Sequence, residues 1–263
     1  MWKDFDGKPY TREELLAHVT ALPPIHWARF ITLHNTGSPT LEQWEAGGTT
    51  PAQRIKSLQH YYEVNEHWHA GPHLFIDCEH IWGFTDLTVS GVHASCFNGG
   101  AIGIEMVGDY SVETFDPHVR DNAVFAMGVI HRKLGIRPDG LVYGKSGLHL
   151  HKDCRRDHHD CPDKHVDRAD MVERVLAAIA ELDKGEVAAA LKGAAAQGAV
   201  SKAARAPVEL PVYLESCGAP LPLKPTLRRG SPCGVIDPFN FRAISAILVE
   251  LRGEVRAVAP RPP

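Results

Sequence analysis

The chain has 263 residues, 44% of them apolar and 23% charged, with a formal net charge of −4. That is long enough for one substantial domain with its own core plus an appendage. No run of 18 or more apolar residues occurs, so no membrane span is expected, and no basic-aromatic stripe points to a nucleic-acid partner.

The N-terminus, MWKDFDGKPY, lacks the apolar core of a signal peptide, so synthesis and folding in a cytoplasm are expected. Thr11 and Glu14 have the spacing of a capping box, which predicts a short helix to about Leu22, stopped by Pro23-Pro24. RFITLHNTG is β-branched and apolar, then breaks at Asn35 and Gly37, and reads as a buried strand ending near His34. Thr50 and Gln53 form a second capping box, with Pro51 at the first helical position, and the helix that follows carries Ile55, Leu58 and Tyr62 on one face. PHLFIDCEHIWGF reads as strand, turn and strand, and AIGIEMVG as an apolar strand. VRDNAVFAMGVIHRKLG is a helix closed by Gly135. RADMVERVLAAIAEL is amphipathic, with Met171, Val172, Val175, Leu176 and Ile179 inward. Strands alternating with helices predict an α/β fold with a mixed central sheet flanked by helices.

Beyond Gly185 the composition changes. Residues 186–206 are alanine-rich and read as a helical or flexible linker. Residues 207–263 regain strand and helix character, as a small α+β extension of unassigned family. Residues 184–263 hold 11 Lys+Arg against 6 Asp+Glu, whereas residues 1–183 hold 17 against 26. An acidic body with a basic tail suits an anionic target of the tail; the alternative is a chance asymmetry of solvated faces. Six cysteines in so long a chain show no regular framework, which favours free thiols or metal ligands over disulfides.

The segment from Leu148 to Val166, LHLHKDCRRDHHDCPDKHV, concentrates five histidines, two cysteines and four aspartates in nineteen residues. A catalytic zinc takes three protein ligands and leaves one position open. One loop rarely supplies all three, so a further ligand from a rigid element is expected, and His34 at the end of its strand suits that role. Glu105 lies inside an apolar strand. Burying a carboxylate there costs several kcal/mol unless it is paired or its pKa shifts, and such groups are candidates for acid–base work. A structural alternative pairs Cys154 and Cys161 with His149 or His158 around a zinc.

Four motifs in order, ITLHNTG, IGIEMVG, HKD and DCP, resemble those of the zinc-dependent N-acetylmuramoyl-L-alanine amidases. That family includes phage lysozyme-amidases, anhydro-muropeptide amidases and peptidoglycan recognition proteins. The resemblance covers roughly residues 25–183. It implies His34, His151 and Cys161 as ligands of a Zn2+ cofactor, peptidoglycan or a muropeptide as substrate, and cleavage between muramic acid and L-alanine. It implies Glu105 as general base, because the tyrosine that does comparable work in the phage branch is replaced at Gly71-Pro72-His73. His159 stands where many active members carry an oxyanion-stabilising lysine, and either a protonated or a neutral imidazole would serve. His93 and, more weakly, Asn98 resemble positions that bind substrate. Asp153 or Asp160 would support a ligand histidine, and His149, His158 and His165 read as surface or supporting residues. The implied setting is a phage or prophage endolysin released to the wall through a holin. A peptidoglycan-binding module without activity, a cytosolic recycling amidase, or a cysteine hydrolase acting through Cys161 are the alternatives.

Overall fold

The structure is a computed structural model in which residue 2 and residues 4–198 are described. The predicted extension at 207–263, and 199–206 of the predicted linker, lie outside them. The chain divides into two units, Met1–Ala203 and Ala204–Pro263. The first unit is described below.

The elements run β1 (Pro9–Tyr10), α1 (Arg12–Ala21), β2 (Phe30–Asn35), α2 (Leu41–Glu45), α3 (Pro51–Val64), β3 (Leu74–Ile76), β4 (Ile81–Gly83), β5 (Ala101–Met106), α4 (Pro117–Leu134), β6 (Leu148–Leu150), a 3-10 turn (His151–Asp153) and α5 (Arg168–Gly198). Helix starts follow local chemistry. Thr11, Thr40 and Thr50 each close a capping box with Glu14, Gln43 and Gln53, satisfying amides that the first turn leaves free. Asp116 caps α4, which begins at Pro117, two residues before the predicted start, and Gly135 ends it in the left-handed conformation at φ 67°.

The six strands form one mixed sheet in the order β1-β4-β3-β5-β2-β6. β3, β5, β2 and β6 are parallel neighbours, and β1 and β4 are antiparallel additions at one edge. Strand alternation divides the side chains between two faces. Ile31, Leu33, Ile102, Ile104, Leu148 and Leu150 enter the main core with residues of α1, α4 and α5. On α5, Met171 and Val175 are fully buried, and Val172, Ile179, Ala178 and Leu182 pack beside them. Leu176, predicted inward, is only half-buried and takes no place in this cluster. The opposite face carries Phe75 and Trp82, covered by Ile55 of α3 together with Trp44, Phe84 and Val107. Each such side chain contributes roughly 2 kcal/mol of burial energy. α5 continues without a break past Gly185 to Gly198.

The cysteines depart from the expectation. Cys96 and Cys154 are joined in a disulfide, while Cys78 and Cys161 are free. Their 58-residue separation carries no local signal. Only the packing of the loop after His93 against the loop after His151 brings their Cα atoms to 5.5 Å. The disulfide also removes Cys154 from any structural zinc cluster, so that alternative falls.

Candidate active site

The C-terminal ends of the parallel strands carry the polar chemistry, as is general for open α/β sheets. In-register pairing sets a row across one face: Trp82 opposite Phe75, Phe75 opposite Glu105, and Glu105 opposite His34. Leu33 pairs with Leu150, so His34 and His151 are the next residues of the two strand paths, and their ring centroids lie 4.6 Å apart. Cys161 completes the group. One donor atom from each of His34, His151 and Cys161 lies within 4.8 Å of the others.

Hydrogen bonds settle which nitrogen of each histidine is free. His93 Nε2 lies 3.2 Å from the Ala101 carbonyl oxygen, which only accepts. That nitrogen therefore carries the proton, and His93 Nδ1 is an acceptor. His34 Nε2 lies 3.0 Å from His93 Nδ1, so it donates, and His34 Nδ1 keeps its lone pair. The same logic holds for His151, whose Nε2 lies 3.1 Å from Asp157 Oδ2. Donation to that carboxylate leaves His151 Nδ1 free. Cys161 Sγ accepts from the Asn35 amide at 3.2 Å. Two free imidazole nitrogens and a thiol match the donor set that zinc takes, and each has the outer partner that such ligands require.

The electrostatics agree. Burial first, then the neighbouring imidazoles of His93, His151 and His159, holds His34 well below the ordinary histidine range, so it is neutral and able to donate a lone pair. Burial also pushes His93 down to about 3. The Cys161 thiol is raised by burial and then by Glu105, the opposite of an activated nucleophile, which argues against the cysteine-hydrolase reading. Glu105 is 8% exposed, and burial alone pushes its carboxyl up to about 8.

Several predicted residues take other positions. His93 lies behind His34, 7% exposed, instead of facing a groove. Its ring rests on Gly103, where an added Cβ would come within 2.5 Å of it; this is why the IGIEMVG strand needs glycine there. The Asn98 carboxamide oxygen accepts from the amides of His93 and Ala94, both at 2.8 Å, so it shapes the turn that holds His93. Asp157, which sequence reasoning missed, supports His151 and also accepts from the Ser95 amide at 2.9 Å. Asp153 instead accepts from the Leu150 amide and pairs with Arg168, and Asp160 is exposed. His149 is buried, with Nε2 accepting from Gly144, while His158 and His165 are exposed. His73 bonds the Gly103 amide and Val89 carbonyl, a structural role. Trp82 is core.

His159 stacks on His151 with centroids 4.7 Å apart. Its Nδ1 accepts from the Cys161 amide at 3.2 Å. This bond uses the Nδ1 lone pair and leaves Nε2 as the ring's N–H donor.

A family profile described as N-acetylmuramoyl-L-alanine amidase matches residues 24–164. The chain belongs to that family. The matched span of this amidase-family chain contains His34, Glu105, His151 and Cys161. Similar solved structures include the endolysin amidase LysCS of Clostridium intestinale, 20% identical over 59% of this chain and 89% of that chain, with a TM-score of 0.43. They also include the Staphylococcus aureus hydrolase AmiA, 14% identical over 68% of this chain and 95% of that chain, TM-score 0.44. Drosophila PGRP-LB is 19% identical over 56% of this chain and 85% of that chain, TM-score 0.40. A search of curated proteins finds no match. Among the described residues, no helix is long and apolar enough to cross a membrane.

Proposed function

We propose that this amidase-family chain is a zinc-dependent hydrolase of the amide bond between N-acetylmuramic acid and L-alanine, working as a phage or prophage endolysin. One observation carries the reading. His34, His151 and Cys161 converge with both Nδ1 atoms free, and Glu105 stands in register beside His34. His34, His151 and Cys161 would hold the metal, which supplies Lewis-acid chemistry when bound.

The chain's own groups do the rest. Glu105, its carboxyl pushed up to about 8 by burial, suits general acid–base work. It takes a proton from the attacking water as the carbon–oxygen bond forms. It returns that proton to the L-alanine nitrogen as the carbon–nitrogen bond breaks. His159 Nε2–H is a donor for the carbonyl oxygen, the task many relatives give to lysine. His93 and Asp157 hold the two ligand rings. Residues 1–185 would form the catalytic domain, and 207–263 a wall-contacting extension.

The test is mass spectrometry of purified peptidoglycan digested with and without a zinc chelator. Free stem peptides with a new L-alanine amino terminus, lost on chelation, support the proposal. Intact glycan-linked stems, with protein pelleting on the wall, would reduce the chain to a binding module.

A further inference from the structure

The supports of both ligand histidines are joined by one covalent bond. The following inference rests on the amidase reading. Residues 93–98 form a tight turn, in which the Phe97 and Asn98 amides donate to the Ala94 carbonyl and the Asn98 side chain accepts from the His93 and Ala94 amides. That turn holds His93 against His34 and carries Cys96. On the other side, the Cys154 amide donates to the carbonyl of His151 itself at 2.8 Å. The Cys96–Cys154 bond thus couples the turn behind His34 to the backbone of His151.

The polar bonds between these two loops are a weaker tie. The Ser95 amide and hydroxyl donate to Asp157, which holds His151, but Ser95 is exposed. Water competes for such bonds and leaves little net stabilisation. If the covalent link opens, two thiols have to stand apart at van der Waals contact. Cys154 is 1% exposed among Phe30, Ala94, Phe97 and Ala101, a close-packed site with little room to give. The half-buried Cys96 is the side that moves, and the turn that bears His93 and Ser95 moves with it. Cys96 is also the sulfur that an incoming thiolate reaches. Cys154 Sγ accepts from the Cys96 amide at 3.2 Å, a contact that stabilises it as the leaving thiolate.

We propose that the Cys96–Cys154 disulfide is a redox switch on the metal site: oxidised, it fixes the supports of both ligand histidines, and reduced, it loosens them and lowers the affinity for zinc. The reductant is a dithiol. Its thiolate attacks Cys96 Sγ, a mixed disulfide forms, and Cys154 leaves as a thiolate and takes up a proton. The second sulfur of the dithiol then closes on the first, and Cys96 leaves and is protonated in turn. Two electrons and two protons pass from the dithiol to the protein. A reducing compartment favours the open form and an oxidising one the closed form, so the site gains zinc affinity on passing from the first to the second.

The experiment compares full-length oxidised wild type with the same protein reduced by dithiothreitol and desalted under nitrogen, and treats C96A/C154A in both ways. Peptide mapping after alkylation identifies the thiols released, circular dichroism follows the fold, and chelator competition reads zinc affinity. The expected result is an affinity about 10-fold lower in reduced wild type, regained on reoxidation, with C96A/C154A at the lower value under both treatments. Equal affinities of the two wild-type states overturn the proposal. So does an equal drop in C96A/C154A, which would place the effect on another thiol such as Cys161. A Cys96–Cys154 bond that does not form, or that dithiothreitol opens only with loss of the fold, overturns it as well. Peptide release separates the two readings. Oxidised wild type that frees no peptide with an L-alanine amino terminus sinks the amidase reading and this inference with it, whereas an active wild type with equal zinc affinities sinks the switch alone.

Discussion

Replacing Cys96 and Cys154 together by alanine should weaken both the fold and the metal site. The disulfide closes a loop across 58 residues. Chain-entropy arithmetic for such a loop gives about 4 kcal/mol at 25 °C. The functional consequence follows from where the bond lies. Cys96 is three residues beyond His93, and Cys154 is three beyond His151, so the link ties the support of one ligand histidine to the carrier of the other. Asp157 strengthens the tie by accepting from both the Ser95 amide and His151. Cys154 is 1% exposed among Phe30, Ala94, Phe97 and Ala101, and alanine at both positions leaves that packing largely apolar. Urea unfolding of the oxidised wild type and of C96A/C154A measures the first effect, and chelator competition for zinc measures the second. The expected loss of zinc affinity is about 10-fold, in the range for disturbed outer partners. Intact mass before and after alkylation establishes that the wild-type sample is oxidised. Equal unfolding free energies together with equal zinc affinities would refute the argument.

Three further outcomes are expected. E105Q should bind zinc normally but turn over at least about 100-fold more slowly, as for loss of a general base; a near-normal rate removes Glu105 from the mechanism. H93F keeps a ring over Gly103 but cannot accept from His34, so zinc affinity should fall about 10- to 100-fold, while KM per zinc-loaded molecule is unchanged. A raised KM with intact zinc binding would return His93 to the substrate. His131, buried at the end of α4 with Nδ1 donating to the Ile136 carbonyl, is held down to about 4 by burial. The unfolded chain takes up this proton near pH 6.5 and the folded chain only near 4, so stability is full above about 7 and falls through that window, by roughly 2 kcal/mol at pH 5. H131Q should have a shallower acid limb in pH-dependent unfolding, and an identical limb would count against the assignment.

Much of the architecture is legible in the linear chain because its causes are local. Thr11, Thr50 and Gly135 mark helix ends through capping and a left-handed turn, and the apolar runs at 30–35 and 101–106 mark the central strands. α2 escaped notice although Thr40 and Gln43 form the same capping box, because five residues leave no periodicity to see. Leu176 was misassigned because helical spacing gives a face, while the neighbour across it, here α4, decides how wide the buried stripe is.

The candidate site divides the same way. Residue chemistry singled out His34 and Glu105, because a histidine ending a buried strand and a carboxylate inside one are costly wherever they occur; His151 and Cys161 were picked from the crowded loop only by the resemblance of the HKD and DCP motifs. Their partners carry no such mark. His93 behind His34, Asp157 instead of Asp153 or Asp160 beside His151, and the Cys96–Cys154 bond all depend on distant segments meeting. Which nitrogen of an imidazole is free, or which carboxylate it meets, is set by contacts of 3 Å between residues up to 59 positions apart. Helix capping and strand patterning act over a few residues and are written in the sequence; long-range contacts exist only once the sheet has put β2, β5 and β6 side by side.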